Sequence, residues 1–179
     1  MTSKTFARFG LAAAAAATSL LAAAPPALAQ GKVQAASGHG TLLVESDTGL
    51  VRRQFSFSAS RKADGKVSGN ATLVNRSFTG ENGHSPYQLQ IDITCFRVVG
   101  NIGIFGGTTK RTNDPNLVDA VFFTVQDNGE PGAGKDRISR AYFWDDDPGT
   151  TGNPQACQDT GPFDFPLEAI EAGNVQVKS

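Results

Sequence analysis

From Val51 to Ser60 the chain alternates without interruption. Val51, Arg53, Phe55, Phe57 and Ala59 stand in one phase, and Arg52, Gln54, Ser56, Ser58 and Ser60 in the other. Side chains of a β-strand point to opposite faces at every step, so this period of two calls for a strand with one face on a core and one in water. A helix would scatter the same residues around its whole circumference. The pattern returns from Tyr87 to Cys95, where Tyr87, Leu89, Ile91, Ile93 and Cys95 alternate with Gln88, Gln90, Asp92 and Thr94. After Cys95 the phase slips, because Phe96 and Val98 take the polar face, and a β-bulge near Cys95 or Phe96 accounts for the slip.

Other segments fit beside these two. A first strand is expected over Gly40–Glu45, after a small, polar lead-in from Gly31 to Gly38. Asp64-Gly65 turns the chain into a third strand, Lys66–Arg76, and Gly100-Asn101 marks a two-residue hairpin between the fourth strand and a fifth that runs to Lys110. Residues 117–140 combine a sixth strand, a glycine- and acid-rich loop and the start of a seventh strand, Arg137–Trp144. In the sixth strand Ala120, Phe122 and Thr124 face one way and Val121, Phe123 and Val125 the other, so it is central or has its outer face covered by a loop. The period stops between Asp145 and Pro166; a single helical turn fits Leu167–Ala172, and a last strand Gly173–Lys178.

Eight strands with hairpin-like connections make an all-β antiparallel meander. Pairing the last strand with the first would close it into a small up-and-down β-barrel and remove exposed edges. A two-sheet β-sandwich is the alternative.

The N-terminus reads as an export leader. Lys4 and Arg8 precede an alanine-rich apolar run, Leu11 to Ala24, and Ala27-Leu28-Ala29 supplies the small-x-small pattern for cleavage between Ala29 and Gln30. The run is short for a membrane span of about 20 residues, and Pro25-Pro26 ends it. Residues 1–29 are thus a signal peptide and 30–179 a single secreted domain, extracellular, or periplasmic in a host with an outer membrane. No membrane anchor is expected after cleavage. The formal charge of −1 becomes −3 when Lys4 and Arg8 leave, and no basic stripe replaces them, so nucleic acid is not an expected partner. A monomer with an unknown extracellular partner is expected.

Two cysteines, Cys95 and Cys157, remain in a chain bound for an oxidising compartment, and a disulfide between them is the natural reading. It would also pin the middle of the aperiodic segment to the fourth strand.

Several motifs carry possible chemistry. Asp127, Asn128, Glu130 and Asp136 fall in one glycine-rich loop, and hard cations such as calcium take oxygen ligands of this kind. The spacing is not that of an EF-hand, and Pro131 interrupts it. A structural role is the stronger reading: Asp127 and Arg137 flank the loop base and could pair across the ladder, or Asp127 could form an Asx turn. Asp145, Asp146 and Asp147 form a second acidic run. They could chelate calcium with Asp159 or Asp164, although such runs are more often solvated. No cofactor is required by any motif. His39 and His84 sit far apart in polar turns, and no nucleophile elbow, zinc helix or phosphate loop is present, so enzymatic activity is not expected. A small-ligand carrier is the rival to a structural or adhesive role, with Phe55, Phe57, Tyr87, Phe123, Tyr142 and Trp144 as candidate lining; otherwise these rings fill the core.

The order of several segments adds a resemblance. Phe55-Ser56-Phe57-Ser58-Ala59-Ser60, Ile91-Asp92-Ile93-Thr94-Cys95 and Val98-Val99-Gly100-Asn101-Ile102 come first. Val125-Gln126-Asp127-Asn128-Gly129-Glu130-Pro131-Gly132 follows, leading to Asp136-Arg137-Ile138-Ser139, and Ala172-Gly173-Asn174-Val175-Gln176-Val177 closes the chain. Together they resemble the small secreted bacterial β-domains of the post-choice-of-anchor type, over nearly the whole mature chain. The segment from Asp145 to Pro166 departs from that pattern, being longer and more acidic. The resemblance implies a secreted all-β domain and brings no catalytic residues with it.

Overall fold

The computed structural model describes residues 31–46, 49–75, 87–113, 119–144 and 152–179. The leader with Ala29 and Gln30, His84, and Asp145, Asp146 and Asp147 lie outside the described residues, as do the side chains of Tyr87 and Trp144.

The described residues are mostly strand. β1 (Gln34–Ser46), β2 (Gly49–Arg61), β3 (Val67–Asn75), β4 (Tyr87–Val99), β5 (Ile102–Thr112) and β6 (Ala120–Gln126) form an antiparallel meander. Beyond β6 come β7 (Arg137–Ser139), β8 (Tyr142–Trp144), a 3₁₀ turn at Pro154–Gln158, β9 (Leu167–Ala169) and β10 (Ala172–Lys178). The order across the sheet is β10-β1-β2-β3-β4-β5-β6-β7-β9, with β8 pairing the other half of β6. This single sheet curls into a half-barrel, so the sandwich alternative falls away. The last strand does pair with the first: Val175 lies opposite Gly38 and Val177 opposite Ala36. β9 and β10, at the two ends of the sheet, are joined through Ile170 and Glu171 alone, so one stretch of chain connects both edges.

The alternation read in β2 and β4 sorts the two faces. Val51, Phe55, Phe57 and Ala59 are buried, as are Leu89, Ile91 and Ile93, while Arg52, Ser56, Ser58, Asp92 and Thr94 are exposed. Phe105 stacks on Phe123 at 4.4 Å and on Phe96 at 4.9 Å, and Phe57 meets Phe105 edge-on at 5.3 Å. Such pairs add about 0.5–1.5 kcal/mol each to the effect of area burial. The register between β4 and β5 shifts by one residue between Ile93 and Cys95, which places the bulge at Thr94, next to its expected position. As a result Phe96 turns into the half-barrel while Cys95 points to the outer face of the sheet.

Three segments differ from the sequence reading. β1 begins at Gln34, inside the expected lead-in. Its small residues hide the strand because large rings cover them: a Cβ added at Gly38 would stand 2.7 Å from the Phe57 ring, and one at Gly40 2.3 Å from the Ala172 carbonyl oxygen. The expected seventh strand breaks in two. The Thr124 N–H donates to Ser139 Oγ instead of to a backbone carbonyl, and that hydroxyl donates to the Arg140 carbonyl, so the ladder is interrupted there. Leu167–Ala169 is strand rather than helical turn, because β7 offers it a ladder partner.

Candidate functional site

The loop between β6 and β7 closes the half-barrel. β10 pairs β1 along one edge, and the N–H groups of its other edge meet carboxylates. Val177 N–H donates to Asp127 Oδ2 at 3.0 Å, and Val175 N–H to Asp136 Oδ2 at 2.8 Å. The second oxygens accept within the loop, from Gly129 N–H at 3.0 Å for Asp127 and from Asn128 N–H at 2.8 Å for Asp136. Glu130 Oε1 accepts from Asn174 Nδ2 at 2.8 Å. Two side chains thus stand in for a missing strand, and Asp136 is fully buried in doing so. Charge-assisted hydrogen bonds to backbone N–H groups are among the strong ones, which makes this an effective latch. Gly132 is where the loop meets the strand, since a Cβ there would fall 2.8 Å from the Asn174 Cα of β10.

This geometry corrects two expectations. Asp127 forms the Asx turn, but the ladder partners of Arg137 are Gln126 and Ala169, and no ion pair joins Asp127 to Arg137 among the described residues. The calcium reading of Asp127, Asn128, Glu130 and Asp136 fails as well. Their oxygens point at separate N–H donors instead of converging, Asn128 Oδ1 accepting from Asn101 Nδ2 at 3.1 Å. Among the described residues no group of three or more His, Cys, Asp or Glu side chains is placed to hold a metal ion.

The aperiodic segment builds a different kind of site. Cys95 and Cys157 form the expected disulfide with Cα atoms 6.1 Å apart, and both residues are buried. Around it, Asn153 caps the 3₁₀ turn by accepting from Gln155 N–H at 3.0 Å, and Gln155 Nε2 donates to the Thr94 carbonyl at the bulge. Arg97 Nε donates to the Cys157 carbonyl at 3.0 Å, and its Nη2 to the carbonyl of Thr160. The segment lies on the outer face of β5 and β6, over Ile102, Ile104, Ala120 and Phe122. That is the cover which the apolar outer phase of β6 demanded.

A groove of about 440 Å³ runs along this cover. Phe122 and Phe165 are its aromatic walls, Asn153 and Ala156 border it, and Asp159, Thr160 and Asp164 bring polar groups to it. Phe165 is held by stacking on Tyr142, with centroids 4.4 Å apart and planes at 14°. Asp164 Oδ2 accepts from Gly161 N–H at 2.6 Å, and Thr160 Oγ1 donates to the Ala156 carbonyl at 3.1 Å. The Asp159 carboxylate has no hydrogen-bond partner among the described residues, and Phe163 next to the groove is 70% exposed. Sequence reasoning picked out Asp159 and Asp164 but missed the aromatic walls. The signal was present: two phenylalanines in an otherwise polar loop, and Phe122 in a phase that needed a cover.

A smaller cavity, about 210 Å³, lies at one end of the half-barrel between Leu42, Phe55, Leu73, Leu89, Ile138 and Phe143, with Arg53 facing it. That is below the roughly 300–1,000 Å³ usual for small-molecule pockets. Of the expected lining residues whose side chains are described, Phe55 alone borders it. Phe57 and Phe123 belong to the ring stack, and Tyr142 faces outward on Phe165. Tyr87 and Trp144 have side chains outside the described residues. Comparison of the chain with models of protein families, with curated proteins and with solved structures finds no match.

Proposed function

We propose that this chain is an exported, non-enzymatic binding domain, structural or adhesive at the cell exterior, which meets its partner through the outer groove. The observation that carries this reading is the position of the groove. It lies on a loop clamped to the sheet by a disulfide and by Arg97, whereas packed phenylalanines take up much of the interior and leave a smaller cavity at one end. A rigid scaffold that presents a shaped loop is the usual arrangement of binding proteins. A buried disulfide is compatible with an oxidising compartment, in line with the leader-like N-terminus and with the resemblance to secreted β-domains.

Retention of the oxidised protein on the surface of the producing cells tests the reading. Ala156→Trp fills the groove from an exposed position, and Thr72→Trp puts the same bulk on the sheet surface far from it. Loss of retention with the first variant and not the second is expected. Equal retention of all three proteins overturns it.

A second reading, a carrier for a small apolar ligand, has the 210 Å³ cavity in its favour, since engineered cavities of about 150 Å³ already admit benzene. Native mass spectrometry of the protein from its source tests this directly, because a carrier retains a bound mass that disappears on denaturation.

A further inference from the structure

We infer that the inner cavity takes a small carboxylate with an apolar tail, its head group held by Arg53 at the mouth. This rests on the carrier reading, not on the outer groove, and adds the chemistry of the ligand. Residues directly opposite one another in an antiparallel ladder share a face, so the pairing sorts the cavity into rows. Leu42, Arg53 and Asn75 lie side by side across β1, β2 and β3. The next row on that face is Gly40, Phe55 and Leu73, continuing to Leu89 in β4. The Arg53 row stands at the end of the β3–β4 ladder, where Asn75 pairs with Tyr87, so polar groups mark the mouth and apolar ones lie below. Phe55 and Leu89 are buried and close the floor. Leu73, and Ala141 and Phe143 from across the half-barrel, are only half-buried and present their surfaces to an entering molecule.

Arg53 sets the chemistry. Its phase in β2 is otherwise apolar, with Val51, Phe55, Phe57 and Ala59 all buried, and Arg53 itself is half-buried at the cavity. A guanidinium carries five N–H donors in a fixed fork, so contacts within the protein still leave donors for a carboxylate. Asn75, 6% exposed, brings a side-chain amide to the same row. Among the described residues no Asp or Glu lines the cavity. Arg140, also at the cavity, has its Nε 2.8 Å from Glu168 Oε1, so that pair cancels and Arg53 contributes one net positive charge. One carboxylate balances that charge, and a phosphate dianion exceeds it. A wholly apolar ligand would cover the guanidinium without offering it an acceptor. Since a cavity of about 150 Å³ admits benzene, the 210 Å³ here accommodates a tail of roughly eight carbons.

The test is an NMR titration of the oxidised, folded protein at neutral pH with octanoate, and in parallel with octan-1-ol. The alcohol has the same tail and no charge. Saturable shifts of the backbone amides of Leu73, Ala141 and Phe143 are expected with octanoate, at an affinity about fivefold or more above that for the alcohol. Arg53→Gln removes most of that preference while the alcohol still binds, and Arg53→Lys keeps part of it. Equal affinities of the unaltered protein for both probes overturn the inference about the head group and leave the carrier reading standing. Shifts confined to residues away from the cavity, or none with octanoate, also overturn the inference, and they do so without any variant having to fold. The carrier reading fails separately, if protein from its source shows no retained mass by native mass spectrometry.

Discussion

The two acidic loops of this protein have similar compositions and different fates. In the loop from Asp127 to Asp136, each aspartate at the ends accepts one N–H from within the loop and one from β10, and Asp136 is buried. In the segment from Asn153 to Phe165, Asp164 accepts a local N–H, and Asp159 faces a groove without a partner among the described residues. The difference lies in what each loop meets. The first lies along the unpaired edge of a strand, where backbone donors are waiting. The second lies across the outer face of β5 and β6, where apolar side chains need a cover and backbone donors are already paired within the sheet. Acidic residues at an open edge become part of the fold, and an acidic residue on a cover, such as Asp159, meets no donor among the described residues.

The sharpest way to break this comparison is to release the second loop. Replacing Cys95 and Cys157 together by serine is expected to cost about 4 kcal/mol, from the chain entropy restored to a denatured loop of this length. Urea denaturation measures the cost. Hydrogen exchange should show the amides of residues 154–165 opening first while those of Asn128 and Val175 stay protected. Loss of protection at both loops at once would mean that they are not independent.

Next in size is the latch. Asp136→Ala leaves the N–H groups of Asn128 and Val175 without their acceptors, one of them fully buried, at an expected cost of about 3 kcal/mol by urea denaturation. Asp136→Asn should recover part of that loss, since the amide keeps one accepting oxygen. A cost below about 0.5 kcal/mol for the alanine variant would show that the latch does not hold β10.

Asp159→Asn should change stability by less than about 0.5 kcal/mol, as for an exposed side chain with no partner among the described residues. A larger loss would place Asp159 with the structural carboxylates. The smallest expected effect is that of chelation. With the carboxylates of the first loop committed to N–H donors, EDTA should leave the melting temperature unchanged. A fall of a few degrees, equivalent to roughly 1 kcal/mol, would reveal a cation held by the protein.

Much of the scaffold was legible because its signals are local. The alternation in β2 and β4 assigned inner and outer faces, and the slip after Cys95 marked the bulge at Thr94. The double apolar phase of β6 announced a cover, and the count of two cysteines said what would pin it. β1 and β9 were misread for opposite reasons. The glycines of β1 have no side chains to show a period, because Phe55 and Phe57 occupy that space from the neighbouring strand. Leu167–Ala169 is too short to show any period, so its state was decided by β7 alongside it. Of the groove, Asp159 and Asp164 could be named, but Phe122 and Phe165 are 43 positions apart by number and meet only when the cover folds over the sheet.

By itself, then, the amino-acid sequence determined the strands with a period of two, the face that each buries, and the pair of cysteines that joins cover to sheet. Two-residue alternation and a lone cysteine pair are readable without knowing which strands become neighbours. Tertiary structure alone decided what the acidic loops do. The donors that satisfy Asp136 and Asp127 come from Val175 and Val177, 39 and 50 residues further along. A carboxylate reads the same in sequence whether it faces such a donor or an open groove.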